Sequence, residues 1–284
     1  MRRSTKVMVI IATLALATTA LAAPAAASRE TRQGHPVYLA LGDSWAYGQG
    51  AEDPATGGYV AVLNEELREA LDCHPGPWQD SCRRLRSITL ARPATETLPG
   101  VTTLLVVSEQ LPIALPMLER RNHDQNPRND VQLVTLHVGG NDVSGPIQDA
   151  CIGGVTQDCL ITWVGEMAQY EADLDFVVGE LRTAAGAETP IVLGTYDNPV
   201  PYCNLAAIPG AIELGAMLLE GAPDGSLDGV HDVVRRVAAN HDAEVAEVFG
   251  QLGAGDFVGG DDCLHVTDSG HAEVAGAFLD TVID

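Results

Sequence analysis

The chain has 284 residues, 46% of them hydrophobic, and 39 acidic against 16 basic side chains give it a formal charge of −23. That is enough apolar sequence for one well-buried domain of the larger kind. The charge argues against nucleic acid and against anionic membrane surfaces as partners, because both are bound through basic patches.

The N-terminus reads as an export signal and not as part of the fold. Arg2, Arg3 and Lys6 precede a short apolar run at 7–21, and Ala25-Ala26-Ala27 closes it with small residues. This predicts a signal peptide over residues 1–27 and a single domain over 28–284. The signal carries three cations and no acid, so its loss takes the charge from −23 to about −26. No cysteine sits at the cleavage point and no later stretch is long and apolar enough to span a bilayer. The expectation is a secreted protein without a stable membrane anchor, monomeric by default.

Residues 37–41 read as a buried strand that stops at Gly42-Asp43-Ser44. Residues 58–71 follow as an amphipathic helix, with apolar side chains at 60, 63, 67, 70 and 71. A short strand is predicted at 86–91, then a helical stretch at 101–120 that Pro112 and Pro116 should break or kink. The clearest strand, 131–138, runs into Gly139-Gly140-Asn141-Asp142. A long helix at 162–183, a strand at 191–195, helices at 209–221 and 227–240, a strand at 243–249 and a helix at 269–282 complete the series. Segments 143–162 and 197–230 read as the loops that shape any pocket. Strand and helix alternating in this way predict βαβ units around a central parallel sheet. Such sheets place ligand sites beyond the carboxyl ends of their strands. The two glycine-rich turns, at 42–44 and 139–142, therefore belong on one sheet edge.

Six cysteines, at 73, 82, 151, 159, 203 and 263, suit an oxidising compartment. Six allow 15 pairings. Cys73 lies close to Cys82 and Cys151 to Cys159, which would leave Cys203 with Cys263. No CxxC spacing suggests zinc.

Ser44 at a strand-ending turn is either a turn former or a nucleophile. A serine nucleophile needs an imidazole to take its proton, a carboxylate to orient that imidazole, and donors for the developing oxyanion. No GxSxG elbow is present. The stretch 261–275 offers two Asp-x-x-His pairs, Asp262 with His265 and Asp268 with His271. Asp268 opens the last predicted helix, where a capping carboxylate is expected on structural grounds. Asp262 and His265 fall in the loop after the last strand, which favours them for chemistry. Asn141 brings an amide to a strand end, and Asp43 reads as a structural partner of the turn. The histidines at 35, 74, 123, 137, 231 and 241 show no convincing partner in sequence. Core or rim packing is the expectation for Trp45, Trp78 and Trp163.

These motifs together resemble the SGNH hydrolases, the GDSL family of esterases and lipases. Gly42-Asp43-Ser44 with Gly48 is similar to the first family block, "HVGGNDV" to the third, and "DCLHVTDSGH" to the fifth. Trp45 stands where the family has leucine, and Val266 where it has proline. In the second block, matched to 90–97, the family glycine is missing, and an N–H at Ala94 is the substitute. The resemblance implies a flavodoxin-like three-layer α/β/α sandwich. It implies a Ser44–His265–Asp262 triad, an oxyanion hole from Ser44, Ala94 and Asn141, and no metal or organic cofactor. It also implies pairing of the cysteines in sequence order, as Cys73–Cys82, Cys151–Cys159 and Cys203–Cys263. The implied activity is hydrolysis of a small-molecule or lipid ester. The alternatives are carbohydrate deacetylation or phospholipid cleavage on the same triad, or a binding domain that kept the fold and lost turnover.

Overall fold

The computed structural model describes residues 34–70, 85–95, 100–151 and 154–283. The predicted signal peptide, Trp78 and the Cys73–Cys82 pair lie outside the described residues.

Five parallel strands form the central sheet, in the order β2-β1-β3-β4-β5. They are β1 (Val37–Gly42), β2 (Arg86–Thr89), β3 (Val131–His137), β4 (Ile191–Gly194) and β5 (Glu244–Ala246). β1 and β4 are buried along their whole length and β3 at all but one position, as expected of apolar runs covered on both faces. β2, at the sheet edge, is mostly exposed.

Helices α1 (Tyr59–Ala70) and α7 (Asp268–Ile283) pack on each other. The long α4 (Gln157–Ala185) packs with α2 (Leu111–Asn122), α3 (Gly140–Cys151) and α6 (Val230–Asn240). The sheet flanked by these helices is the α/β/α sandwich expected from the alternating pattern. Met167, Tyr170 and Leu174 form a buried stripe on α4 and need only packing to explain them. α5 (Ala211–Glu220) leads into α6.

Three regions differ from expectation. The helical stretch after residue 101 is interrupted by a π-helical turn, Val106–Gln110, immediately before α2. Pro112 sits in the first turn of α2, where its missing N–H costs nothing, so the break falls ahead of it. Residues 143–151, read as loop, belong to α3, which starts at Gly140 despite Pro146 within it. Asp262 and His265 stand not in a loop but on β7 (Asp262–Val266), paired antiparallel with β6 (Phe257–Gly259) in a two-stranded hairpin outside the main sheet.

Candidate active site

The site lies where the sheet order reverses. β1 has neighbours β2 and β3 on its two sides, and a crevice opens beyond their carboxyl ends at such a switch point.

β1 delivers Ser44 through a tightly constrained turn. Gly42 has φ +138°, and a Cβ there would lie 2.1 Å from the His137 carbonyl, so only glycine fits. The π-helical turn aims Gln110 at the same residue. Gly42 N donates to Gln110 Oε1 (2.9 Å), and Gln110 Nε2 donates to Gly42 O (2.8 Å). A side-chain amide thus replaces a missing strand partner at the last residue of β1. Asp43 caps the short helical turn Ser44–Tyr47 by accepting from Trp45 N (2.9 Å). Its other oxygen accepts from Tyr196 Oη (2.6 Å). Burial pushes the Asp43 carboxyl up to about 7, against those hydrogen bonds.

β3 delivers Asn141. Gly139 has φ +135°, and a Cβ there would meet the Tyr170 hydroxyl oxygen at 2.3 Å. Asn141 Nδ2 donates to Val101 O (3.1 Å). Asp142, in the first turn of α3, accepts from Thr103 N (3.0 and 3.1 Å). Burial pushes the Asp142 carboxyl up to about 7 as well. Asn141 and Asp142 therefore clamp the segment after β2 to α3.

The hairpin delivers the imidazole. His265 Nε2 lies 3.1 Å from Ser44 Oγ, and Nδ1 lies 2.8 Å from Asp262 Oδ2. Asp262 Oδ1 also accepts from Leu264 N and His265 N, both at 3.0 Å. Burial works to raise the Asp262 carboxyl. Its hydrogen bonds from the His265 ring and the two backbone N–H groups outweigh that, leaving it below the usual carboxylate range. The carboxylate next to Nδ1 assigns the ring proton there, which leaves Nε2 to accept from the serine hydroxyl. Trp45 Nε1 donates to Leu264 O (2.8 Å) and ties the serine turn to the hairpin. The Cys203–Cys263 disulfide and the Asn204 N to Gly260 O bond (2.9 Å) hold the hairpin from its other side. The second disulfide joins Cys151 and Cys159, between α3 and α4.

The rival pair is used elsewhere. His271 is fully buried and its Nε2 lies 3.2 Å from Gln49 O, while the Asp268 carboxylate accepts from Glu52 N (2.8 Å). Both hold the 48–52 loop against α7.

Ala94 does not offer its N–H to the cleft. That N–H donates to Gln49 Oε1 (2.9 Å), and a backbone N–H has one hydrogen to give. Further along the same connection stands Gly100. A Cβ on Gly100 would lie 2.5 Å from both Cγ and Oδ1 of Asn141, so its backbone lies directly against that amide. β2 also ends at Thr89, earlier than the expected 91. Glu96 and Thr97 lie outside the described residues.

Ser44, Trp45 and Asn141 line a cavity of about 790 Å³. Its apolar wall comes from Val200, Leu205, Leu218, Leu219 and Val230, and its rim carries Ser144, Gln148 and Asn204. Asp43, Asp197, Asp261 and Asp262 are the charged residues of the lining, which holds no lysine or arginine. Trp45, expected as packing, is both buried and part of the wall. Among the described residues, no group of three His, Cys, Asp or Glu side chains is arranged to hold a metal, and no helix is long and apolar enough to cross a membrane.

A parallel α/β/α sandwich with its cleft at the β1/β3 switch point is the fold class of the ester hydrolases that the motifs resemble. The model of the GDSL-like lipase/acylhydrolase family matches residues 40–273, and the chain belongs to that family. It is a carboxylic ester hydrolase. Similar solved structures include a lipase from a goat rumen metagenome, 16% identical with a TM-score of 0.60 over 87% of this chain and 97% of that one. An extracellular lipase from Streptomyces rimosus is 19% identical, with a TM-score of 0.53 over 87% of this chain and 98% of the other. An acetylxylan esterase from Geobacillus stearothermophilus is 16% identical, with a TM-score of 0.54 over 89% and 96%. At these identities the likeness is one of fold. No curated protein matches the chain.

Proposed function

We propose that the chain is a secreted serine esterase that hydrolyses uncharged carboxylic esters through an acyl-enzyme. The observation that carries this reading is the row Asp262–His265–Ser44, with contacts of 2.8 and 3.1 Å at the wall of a cavity. His265 Nε2 takes the proton of Ser44 Oγ as the oxygen attacks the ester carbonyl. Asp262 keeps the ring in the accepting tautomer and stabilises the imidazolium that forms. The oxyanion is held by the N–H of Ser44, the second amide hydrogen of Asn141 and the backbone N–H of Gly100, which takes the role expected of Ala94. Each such donor contributes on the order of 3 kcal/mol to the transition state. The protonated His265 then gives its proton to the leaving alkoxide. Water, activated by the same nitrogen, releases the acid and restores Ser44.

The cavity lining supports an uncharged substrate with an apolar acyl part. A phosphate head group would meet aspartate side chains and no lysine or arginine. The polar residues of the lining, Ser144, Gln148, Asn198 and Asn204, would face the alcohol part of the ester. Two disulfides, at Cys151–Cys159 and Cys203–Cys263, support an oxidising destination, in keeping with the signal-like N-terminus.

Turnover of p-nitrophenyl esters from acetate to decanoate, beside a phosphatidylcholine substrate, tests the reading. The expectation is hydrolysis of the neutral esters, best at intermediate chain length, with little phospholipid cleavage. A folded protein inactive on every ester would favour the binding-domain alternative.

A further inference from the structure

Tyr196 is the central member of a buried chain of hydrogen bonds that crosses the molecule to the serine turn. The chain starts at Glu220, the last residue of α5. Glu220 Oε1 lies 2.5 Å from Nδ1 of His231, which is fully buried in the first turn of α6. His231 Nε2 accepts from Tyr196 N (3.0 Å). A nitrogen that accepts a backbone N–H carries no hydrogen, so the ring proton is on Nδ1 and goes to the carboxylate. Arg235 braces Glu220 from the solvent side and also pairs with Glu247. The Tyr196 backbone is thereby fixed just past the end of β4. From there its hydroxyl donates to Asp43 Oδ2 at 2.6 Å, and Asp43 Oδ1 accepts from Trp45 N. The Tyr196 ring packs edge-on against Trp45, with centroids 5.2 Å apart, and tilted against His137 at 4.4 Å. Asp43 and Trp45 are the two neighbours of Ser44 in sequence.

We infer that Tyr196 is a positioning residue, whose hydroxyl, held by the Glu220–His231 pair, acts through Asp43 to fix Ser44 against His265. This rests on the reading of Ser44 as nucleophile. The physical case is that Asp43 is a buried carboxylate without a cation. Its orientation is set by its donors alone, and the phenol is the one that comes from outside the turn. Without it the buried carboxylate is under-satisfied and is free to pull the turn toward another donor. A displacement of a few tenths of an ångström at Ser44 Oγ is enough to lengthen its 3.1 Å contact with His265. His231 and Glu220, which show no partnership in sequence, acquire a use: they fix the backbone that carries the phenol.

The test is a double-mutant cycle with two readouts, the rate of fluorophosphonate labelling and the separate kcat and KM for a p-nitrophenyl ester. Wild type, Tyr196→Phe, Asp43→Asn and the double variant are compared as folded protein. The expected result is a fall of about tenfold in labelling rate and kcat for Tyr196→Phe, with KM changed less than twofold. In the Asp43→Asn background the same substitution changes the rates less than twofold, because the group it acts through is gone. Unchanged rates in Tyr196→Phe, an effect confined to KM, or equal losses in both backgrounds would overturn the inference. Should Asp43→Asn not fold, Glu220→Ala replaces it. A fall in kcat that Glu220→Gln restores supports the chain, and an unaffected kcat refutes it. Wild type that neither labels nor turns over would refute the parent reading, whereas active wild type with an unmoved Tyr196→Phe refutes only this inference.

Discussion

The two sides of the site are held by different means. Ser44 and Asn141 extend from β1 and β3, adjacent interior strands of a five-stranded sheet, on turns where Gly42 and Gly139 admit no side chain. Asp262 and His265 stand on a two-stranded hairpin that belongs to no larger sheet and is tied in by a disulfide, the Asn204–Gly260 bond and Trp45. The carboxylates differ in the same way. Asp43, on the sheet side, is buried without a cation and is pushed up to about 7, whereas Asp262, on the hairpin side, is held low by its hydrogen bonds. The sheet is held by packing along its strands, and the hairpin, which puts Phe257 and Val266 into the core, adds a few discrete ties. The hairpin that carries the base should therefore lose its geometry when those ties are cut.

The largest effects remove the chemistry itself. Ser44→Ala should lower kcat by about 10⁴-fold or more with an unchanged melting temperature, measured with a p-nitrophenyl ester. Asp262→Asn should cost about 10³- to 10⁴-fold, because the amide favours the wrong imidazole tautomer. His271→Asn, at the rival pair, should keep kcat within about threefold per folded molecule, whatever it does to stability. A loss equal to that of Asp262→Asn would reverse the assignment.

The next effects separate the two sides. The 60-residue separation of Cys203 and Cys263 makes that disulfide worth about 4 kcal/mol in the chain-entropy model, against about 2.5 for Cys151–Cys159. Replacing Cys203 and Cys263 by serine should lower both melting temperature and kcat, since Cys263 is the residue after Asp262. Replacing Cys151 and Cys159 should lower the melting temperature with little change in kcat. Equal activity losses in the two variants would end the distinction between the sides.

The smallest effects concern pH. For Asp43 the folded value, about 7, lies above that of an unfolded aspartate, so the folded chain holds the extra proton between about pH 4 and 7. This group's contribution to stability therefore falls as pH rises through that window, by on the order of a few kcal/mol in all. Asp262 has the opposite sign. Its depressed value adds stability above about pH 4, and that stability is lost as pH falls toward the folded value, by less because the carboxylate is part-exposed. Thermal denaturation of Asp43→Asn beside wild type from pH 4 to 8 checks the first claim. The variant should gain relative stability as pH rises, and a gain at low pH would contradict it.

The sheet side was largely legible in the sequence, because apolar runs that stop at glycine turns are a strong local signal. β1, β3, the parallel sheet and the shared edge for Ser44 and Asn141 all follow from it. The helix that starts at Gly140 was not legible, since Gly140, Gly145 and Pro146 all read against it; tertiary packing of Val143 and Ile147 overrides that propensity. The hairpin was not legible either. β6 and β7 span three and five residues around Gly259-Gly260, and their pairing is a tertiary fact. Asp262 and His265, set apart in sequence because Asp268 opens a helix, are the pair that meets Ser44, while the Asp268 carboxylate accepts from Glu52 N. His231 shows why partners are hard to read from sequence. Its two partners, Glu220 and Tyr196, are 11 and 35 residues away and meet it only through the packing of α5 and β4 on α6.

The most direct test of the account is to label the folded, oxidised protein with a fluorophosphonate and locate the adduct by peptide mass. One adduct is expected, on Ser44, formed rapidly in wild type and in His271→Asn and suppressed in His265→Ala. An adduct on any other residue, or labelling of Ser44 that His265→Ala leaves unchanged, would contradict it.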